Sequence, residues 1–137
     1  MVVLVMVVLQ IGFAGYGAFY AAGRLDEDGS TITDKTFEDG FGLHIGFGYL
    51  VFLAGVVLLI LGLIAGIGRW RLGKHGLLAL LLFIQIQLAW FGGDTPAIGA
   101  LHPINAFLIL GLTSWIVWGE WERRKGAGSE LAATAAT

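Results

Sequence analysis

Four stretches of this chain contain no charged side chain at all: residues 1–23, 40–68, 76–93 and 95–119. A helix needs about 20 apolar residues to cross a bilayer, so each stretch is long enough to cross once, the third with little to spare. In lipid such a segment must satisfy its own backbone, which a helix does. With 137 residues in the chain, the remainder is too short for a separate soluble domain. Charged residues make up 13% of the sequence, about half the share usual in soluble domains. The expected fold is therefore all-α. It is a four-transmembrane-helix bundle over residues 1–125, followed by a disordered cytoplasmic tail over residues 126–137, where Gly, Ser and an Ala/Thr run replace the apolar pattern.

No basic residue precedes the first stretch, and it is longer than the apolar region of a secretory signal. It is expected to remain as a span. The distribution of charge sets the orientation. Arg69, Arg71 and Lys74 lie between the second and third spans, and Arg123, Arg124 and Lys125 follow the fourth. Only Arg24 and Lys35 lie in the other connections. The positive-inside rule then places both termini in the cytoplasm. The first connection, residues 24–39, is expected as an outward-facing polar loop carrying Asp26, Glu27, Asp28, Asp34, Glu38 and Asp39, with a short strand over residues 30–33. His75, in the inner connection, is expected to be solvated.

The spans themselves are expected at about residues 2–20, 42–67, 76–91 and from about 101 to the Trp115/Trp118/Trp121 belt. Pro103 suits the first turn of the last one, where its missing N–H costs nothing. Gly48, Gly55 and Gly62 recur every seven residues on the second span, a smooth stripe for close helix approach.

The chain also repeats itself. Gln10-Ile11-Gly12-Phe13-Ala14-Gly15-Tyr16-Gly17 returns as Gln85-Ile86-Gln87-Leu88-Ala89-Trp90-Phe91-Gly92, with four identities in eight positions. Each copy is followed by a span that opens on Leu-His, at Leu43-His44 and Leu101-His102. Spans one and three run in one direction and two and four in the other. The bundle thus reads as two tandem helical hairpins in parallel repeat, with both histidines at the outer end.

The chemistry this allows is narrow. No Asp, Glu, Lys or Arg lies within a span, although proton-coupled transporters and ion channels usually need such groups at depth. There is no nucleophile beside a base, no phosphate-cradling loop and no basic groove for nucleic acid. The absence of cysteine removes disulfides, thiolate metal sites, iron–sulfur clusters and covalent c-type haem. What remains is His44 and His102. Neutral imidazole ligates iron, copper and zinc, and two imidazoles facing each other across a bundle can clamp one haem iron. Gly48, Val51 and Gly55 on one helix, and Asn105, Ala106, Ile109 and Thr113 on the other, share the histidine faces and leave room for a flat ring. Gln10 and Gln85 lie on matched faces and are candidates either for contact with a cofactor edge or for interhelical hydrogen bonding; Asn105 is similar. The plain alternative is two histidines bonded to loop backbone or lipid headgroups at the interface. Depth opposes the pairing: His44 precedes Arg69 by 25 residues and His102 precedes Glu120 by 18, a difference of roughly 10 Å at 1.5 Å per residue.

Gln-x-x-x-Ala on the first and third spans, Leu-His opening the second, and Ala-Leu-His-x-x-x-Ala opening the fourth resemble one four-helix half of haem A synthase, over about residues 5–115. The resemblance implies a b-type haem held by His44 and His102. The synthase pattern has a glutamate three residues before the first histidine and an arginine just after it. Here those positions hold Phe41 and Ile45, so haem binding is implied and the synthase reaction is not. The whole layout, with Leu-His-Ile-Gly-Phe-Gly-Tyr and Leu-His-Pro-Ile-Asn-Ala, is also similar to a family of small prokaryotic four-span proteins known only as a domain of unknown function. That likeness implies a multi-pass protein of the prokaryotic cell membrane.

The expected function is a bis-histidine haem-b membrane protein for electron transfer or haem handling, without catalytic residues. Its cofactor-binding residues are His44, His102, Gln10, Gln85, Gly48 and Asn105, with His44 and His102 as the metal ligands. The expected partners are the lipid bilayer and a second copy or a larger membrane complex, with no nucleic acid. The rival reading is a non-enzymatic accessory subunit whose glycine stripe docks onto a larger complex. A weaker third is catalysis on an isoprenoid or haem substrate in the outer leaflet.

Overall fold

The structure, a computed structural model, describes residues 1–28 and 31–135, without the side chains of residues 26–28. The described chain is helical and contains no strand. It runs as α1 (Val2–Asp28), α2 (Asp34–Ile64), α3 (Arg69–Asp94), the single turn α4 (Pro96–Gly99) and α5 (Leu101–Ala135). Four of these helices are long and apolar enough to cross a membrane.

The helices outrun the expected spans for local reasons. α2 begins at Asp34 because Thr33 caps it: the Thr33 hydroxyl accepts from the Thr36 N–H at 3.1 Å, and Asp34 sits in the first turn, where a negative charge complements the helix dipole. Lys35 bonds Asp39 one turn on, at 2.9 Å. Much of the expected polar loop is therefore helix, and residues 31–33 are irregular where a strand was expected. Ser30 and the carboxylates of Asp26, Glu27 and Asp28 lie outside the described residues. α2 stops where Gly66 and Gly68 take positive φ, at 59° and 86°, a conformation that glycine adopts without strain. The chain then re-enters helix at Arg69, so Arg69, Arg71 and Lys74 stand on α3 and not in a loop. Beyond Lys125, the segment expected as a disordered tail continues α5 to Ala135, exposed throughout. Its Ala, Glu and Leu residues favour helix, and Ser129 bonds back to Gly126 and Lys125. Residues 136 and 137 lie outside the description.

Packing forms a closed ring. α1 meets α2 and α5, and α3 meets α2 and α5, while the backbones of α2 and α5 stay apart across one diagonal and those of α1 and α3 across the other. The tight core draws on all four long helices, with Val3, Val7, Val51, Leu78, Leu82, Ile109 and Leu112 buried together. The glycine stripe of α2 is filled from inside the bundle. A Cβ at Gly48 would meet the Gln10 amide, one at Gly55 would meet Leu82, and one at Gly62 would meet Ile67. It is not an open docking face. Large apolar side chains instead cover the outside, Phe19, Leu43, Leu63, Ile104 and Phe107 among them.

Candidate functional site

His44 stands on α2 and His102 on α5, at the two ends of the open diagonal, and their ring centroids lie 6.0 Å apart with planes 69° apart. The depth mismatch expected from the sequence does not keep the rings apart; the 25-residue stretch to Arg69 passes through the turn at residues 65–68 and into α3, so it is not a length along α2.

Each ring is anchored by the same reciprocal pair of hydrogen bonds. His44 Nδ1 lies 3.1 Å from the Gln10 carbonyl, and the Gln10 amide donates to the His44 carbonyl at 2.7 Å. His102 Nδ1 lies 3.1 Å from the Gln85 carbonyl, and the Gln85 amide donates to the His102 carbonyl at 3.0 Å. A carbonyl only accepts, so Nδ1 carries the proton in both rings. That fixes the tautomer and leaves the Nε2 lone pairs free, the usual arrangement of metal-ligating histidines. The sequence pointed to the glutamine side chains; it gave no signal that their backbone carbonyls would hold the rings.

Behind the glutamines the two halves differ. Gln85 Oε1 accepts from the Asn105 amide at 2.6 Å, and the same amide donates to the Leu81 carbonyl at 2.9 Å. Three residues after His44 the corresponding position is Phe47, which packs edge-on against Phe13. Gln10 Oε1 is accordingly buried with no hydrogen-bond partner. Asn105 is buried and lines no part of the cavity described next, so it acts on the site through Gln85.

The histidines line a cavity of about 470 Å³, a size ordinary for a cofactor site. Gln10, Gln85, Gly48 and Ala106 share its wall, and the buried Val51 and Ile109 close it toward the core. A Cβ at Gly48 would come within 2.9 Å of Gln10 Nε2, the end of the side chain that bonds the His44 carbonyl. Gly55 and Thr113, expected on the same faces, are turned to other work. Gly55 receives Leu82, and the Thr113 hydroxyl bonds the Ile109 carbonyl on its own helix. Phe41, at the place of the synthase glutamate, lies over Gly17 and edge-on to the His44 ring, 6.4 Å between centroids. Beside the imidazole there is thus an aromatic wall.

His75 departs from expectation. It is buried, 8% exposed, and its Nδ1–H donates to the Arg71 carbonyl one turn back at 2.9 Å. An i to i−4 bond to its own helix lets α5 cover the ring, which a count of polar loop residues did not foresee.

The donor set bears on which metal could be held. Among the described residues, no three His, Cys, Asp or Glu side chains converge on one point, whereas a protein-bound zinc ion takes three or four such ligands. Two imidazoles on opposite sides of one metal, each bound at about 2 Å, keep their centroids roughly 6 Å apart. The pair therefore suits a metal that arrives with its equatorial ligands already in place, and the cavity between the helices supplies room for them. Gln10 lines the same wall, and its Oε1 is buried without a partner. No family model, curated protein or solved structure matches the chain.

Proposed function

We propose that this chain is a multi-pass membrane protein that binds one b-type haem between His44 and His102. The observation that carries the reading is the neighbouring imidazole pair, 6.0 Å between ring centroids, with both Nδ1 atoms held by backbone carbonyls so that both Nε2 atoms are free. The likeness to one half of haem A synthase agrees with it, as does the matched anchoring of the two rings, which supports reading the hairpins as tandem parallel repeats. The four long apolar helices support residence in the lipid bilayer, and the basic residues at one end support cytoplasmic termini; the likeness to small prokaryotic four-span proteins supports a prokaryotic cell membrane.

Within the site, His44 and His102 would hold the haem iron, and the Gln10 and Gln85 backbones orient their rings. Gly48 and Ala106 leave space beside the rings, and Val51 and Ile109 keep water from the inner side. When bound, haem would supply a one-electron couple, and with two protein ligands it would suit electron transfer or haem custody and not oxygen activation. The accessory-subunit reading loses its main support, because the glycine stripe is occupied within the chain.

The test is the absorption spectrum of the detergent-purified protein, with haem quantified per chain. The expected result is a Soret band at about one haem per chain, lost or shifted in His44→Ala and in His102→Ala while far-UV circular dichroism stays helical. No Soret band after haem supplementation, or spectra unchanged in both variants, overturns the proposal.

A further inference from the structure

Fourteen residues before Gln85 on α3, about 21 Å along the helix, Arg71 marks a second cavity, of about 200 Å³, between α3 and α5. Arg71, Lys74 and Arg123 line it, together with one carboxylate, Glu120, and the buried His75. Arg71 grips Glu120 through a bidentate pair at 2.7 and 2.9 Å, and Arg123 pairs with the same carboxylate. The Lys74 ammonium lies over indole faces, 3.8 Å from the Trp115 ring centroid and 5.6 Å from that of Trp70. Three cations and one anion thus surround one small space, a net charge of +2 with His75 neutral. A purely structural ion-pair cluster gains by approaching neutrality, because like charges gathered around one small space repel. An anion entering this cavity would meet a planar guanidinium and an ammonium, the two groups that recognise phosphate. At the same place the exposed rings of Trp70 and Trp115 offer an apolar surface. Cationic interior and aromatic rim together fit an amphiphile.

We propose that this cavity is a phosphate-binding site, with Lys74 and Arg123 as the contacting cations and Trp70 and Trp115 as the wall for whatever the phosphate carries. Two sources share this chemistry: the headgroup of an anionic phospholipid, and free phosphate. The site is independent of the histidine cavity, and its test does not involve haem.

The full-length protein, purified in detergent, is loaded with phosphatidylglycerol or with phosphatidylcholine of the same acyl chains, and retained lipid is counted by native mass spectrometry. Phosphatidylglycerol is expected to be retained about fivefold over phosphatidylcholine, and Lys74→Gln and Arg123→Gln each to lower its retention about fivefold, the effect of one basic group near a membrane surface. Arg124→Gln removes the same charge outside the cavity, where solvent and salt screen it from a headgroup held inside, and is expected to change retention by less than about twofold. Displacement of the lipid by millimolar inorganic phosphate assigns the site to phosphate from either source. Persistent lipid selectivity in its presence assigns it to the headgroup. Lys74→Gln leaves the Arg71–Glu120 pair intact, so it remains informative if Arg123→Gln fails to fold. Equal retention of the two lipids, or an Arg124→Gln loss as large as that of Lys74→Gln, overturns the proposal.

Discussion

Leucine at position 85 and leucine at position 10 should have different consequences, although the two glutamines hold their histidines in the same way. Gln85→Leu removes a donor to the His102 carbonyl and the acceptor of the Asn105 amide. Neither partner is stranded: the carbonyl remains within the backbone ladder of α5, and the amide keeps the Leu81 carbonyl. The cost is therefore that of two interhelical hydrogen bonds, each about 0.6 and at most about 1.7 kcal/mol in membrane bundles, giving about 1–2 kcal/mol. Gln10→Leu removes one such bond, to the His44 carbonyl. It also removes an acceptor that is buried without a partner, a condition that costs about 1–3 kcal/mol when fully unrelieved. The second effect matches or exceeds the first, so the variant is expected to be as stable as the parent or up to about 2 kcal/mol more stable. Asn105→Leu cuts two bonds and also strands Gln85 Oε1 as Gln10 Oε1 is stranded, so it should cost about 1–3 kcal/mol more than Gln85→Leu. The double variant Gln85→Leu/Asn105→Leu removes that stranded acceptor and should show a coupling of at least about 0.6 kcal/mol. Reversible unfolding in mixed micelles, followed by tryptophan fluorescence, measures all four. A Gln10→Leu loss as large as that of Gln85→Leu, or strict additivity of the double variant, would refute the account of the two anchors.

Three further outcomes use the same unfolding assay. Gly92→Ala should cost about 1–3 kcal/mol, the usual range for overpacking, because its Cβ would lie 2.6 Å from the Gly99 Cα, a backbone atom that cannot swing aside. Gly55→Ala should change stability by less than about 1 kcal/mol, since the obstructing atom is the mobile end of Leu82 and alanine gains about 0.5–1 kcal/mol of helix propensity; equal losses at positions 55 and 92 would contradict this. Glu120→Gln breaks the pair between α3 and α5, whose side chains are about a third exposed. Its cost should stay near 0.5–1 kcal/mol after solvent screening and shrink as salt is raised, and a salt-independent loss would contradict that assignment.

The helices were legible because lipid-compatible windows are a statement about charge, and the sequence writes charge plainly. Their ends were not. Thr33 and Asp34 carry a capping signal, yet it lies inside a run of acidic and hydroxyl residues that also suits a loop. The histidine pair was legible from Leu43-His44 and Leu101-His102 at matched places in a repeated pattern. Their level was not, because the end of α2 depends on the positive φ of Gly66 and Gly68, and the apparent mismatch arose from counting through that turn. The backbone anchors were hidden for a different reason: every residue has a carbonyl, so no residue type announces one that accepts from a ring. His75 reads as a loop residue by composition and becomes interior only once α3 is known to begin at Arg69.

The likeness of the two hairpins makes their one difference chemically specific. Both rings are held at Nδ1 by a carbonyl of the facing helix, and both glutamines answer with an amide bond to the histidine backbone. On the α5 side, Asn105 ties the glutamine to α3 through Leu81, so that ring rests on a closed polar network. On the α2 side, Phe47 takes the place of Asn105 and turns to Phe13, leaving Gln10 with an unmet acceptor next to the cavity. Aromatic contact replaces polar contact there, with Phe41 edge-on to the ring and Gly17 making way for it. An aromatic wall restrains a ring less directionally than a hydrogen-bond network does. A flat ligand entering between the imidazoles would therefore meet one fixed face on α5 and one adjustable face on α2.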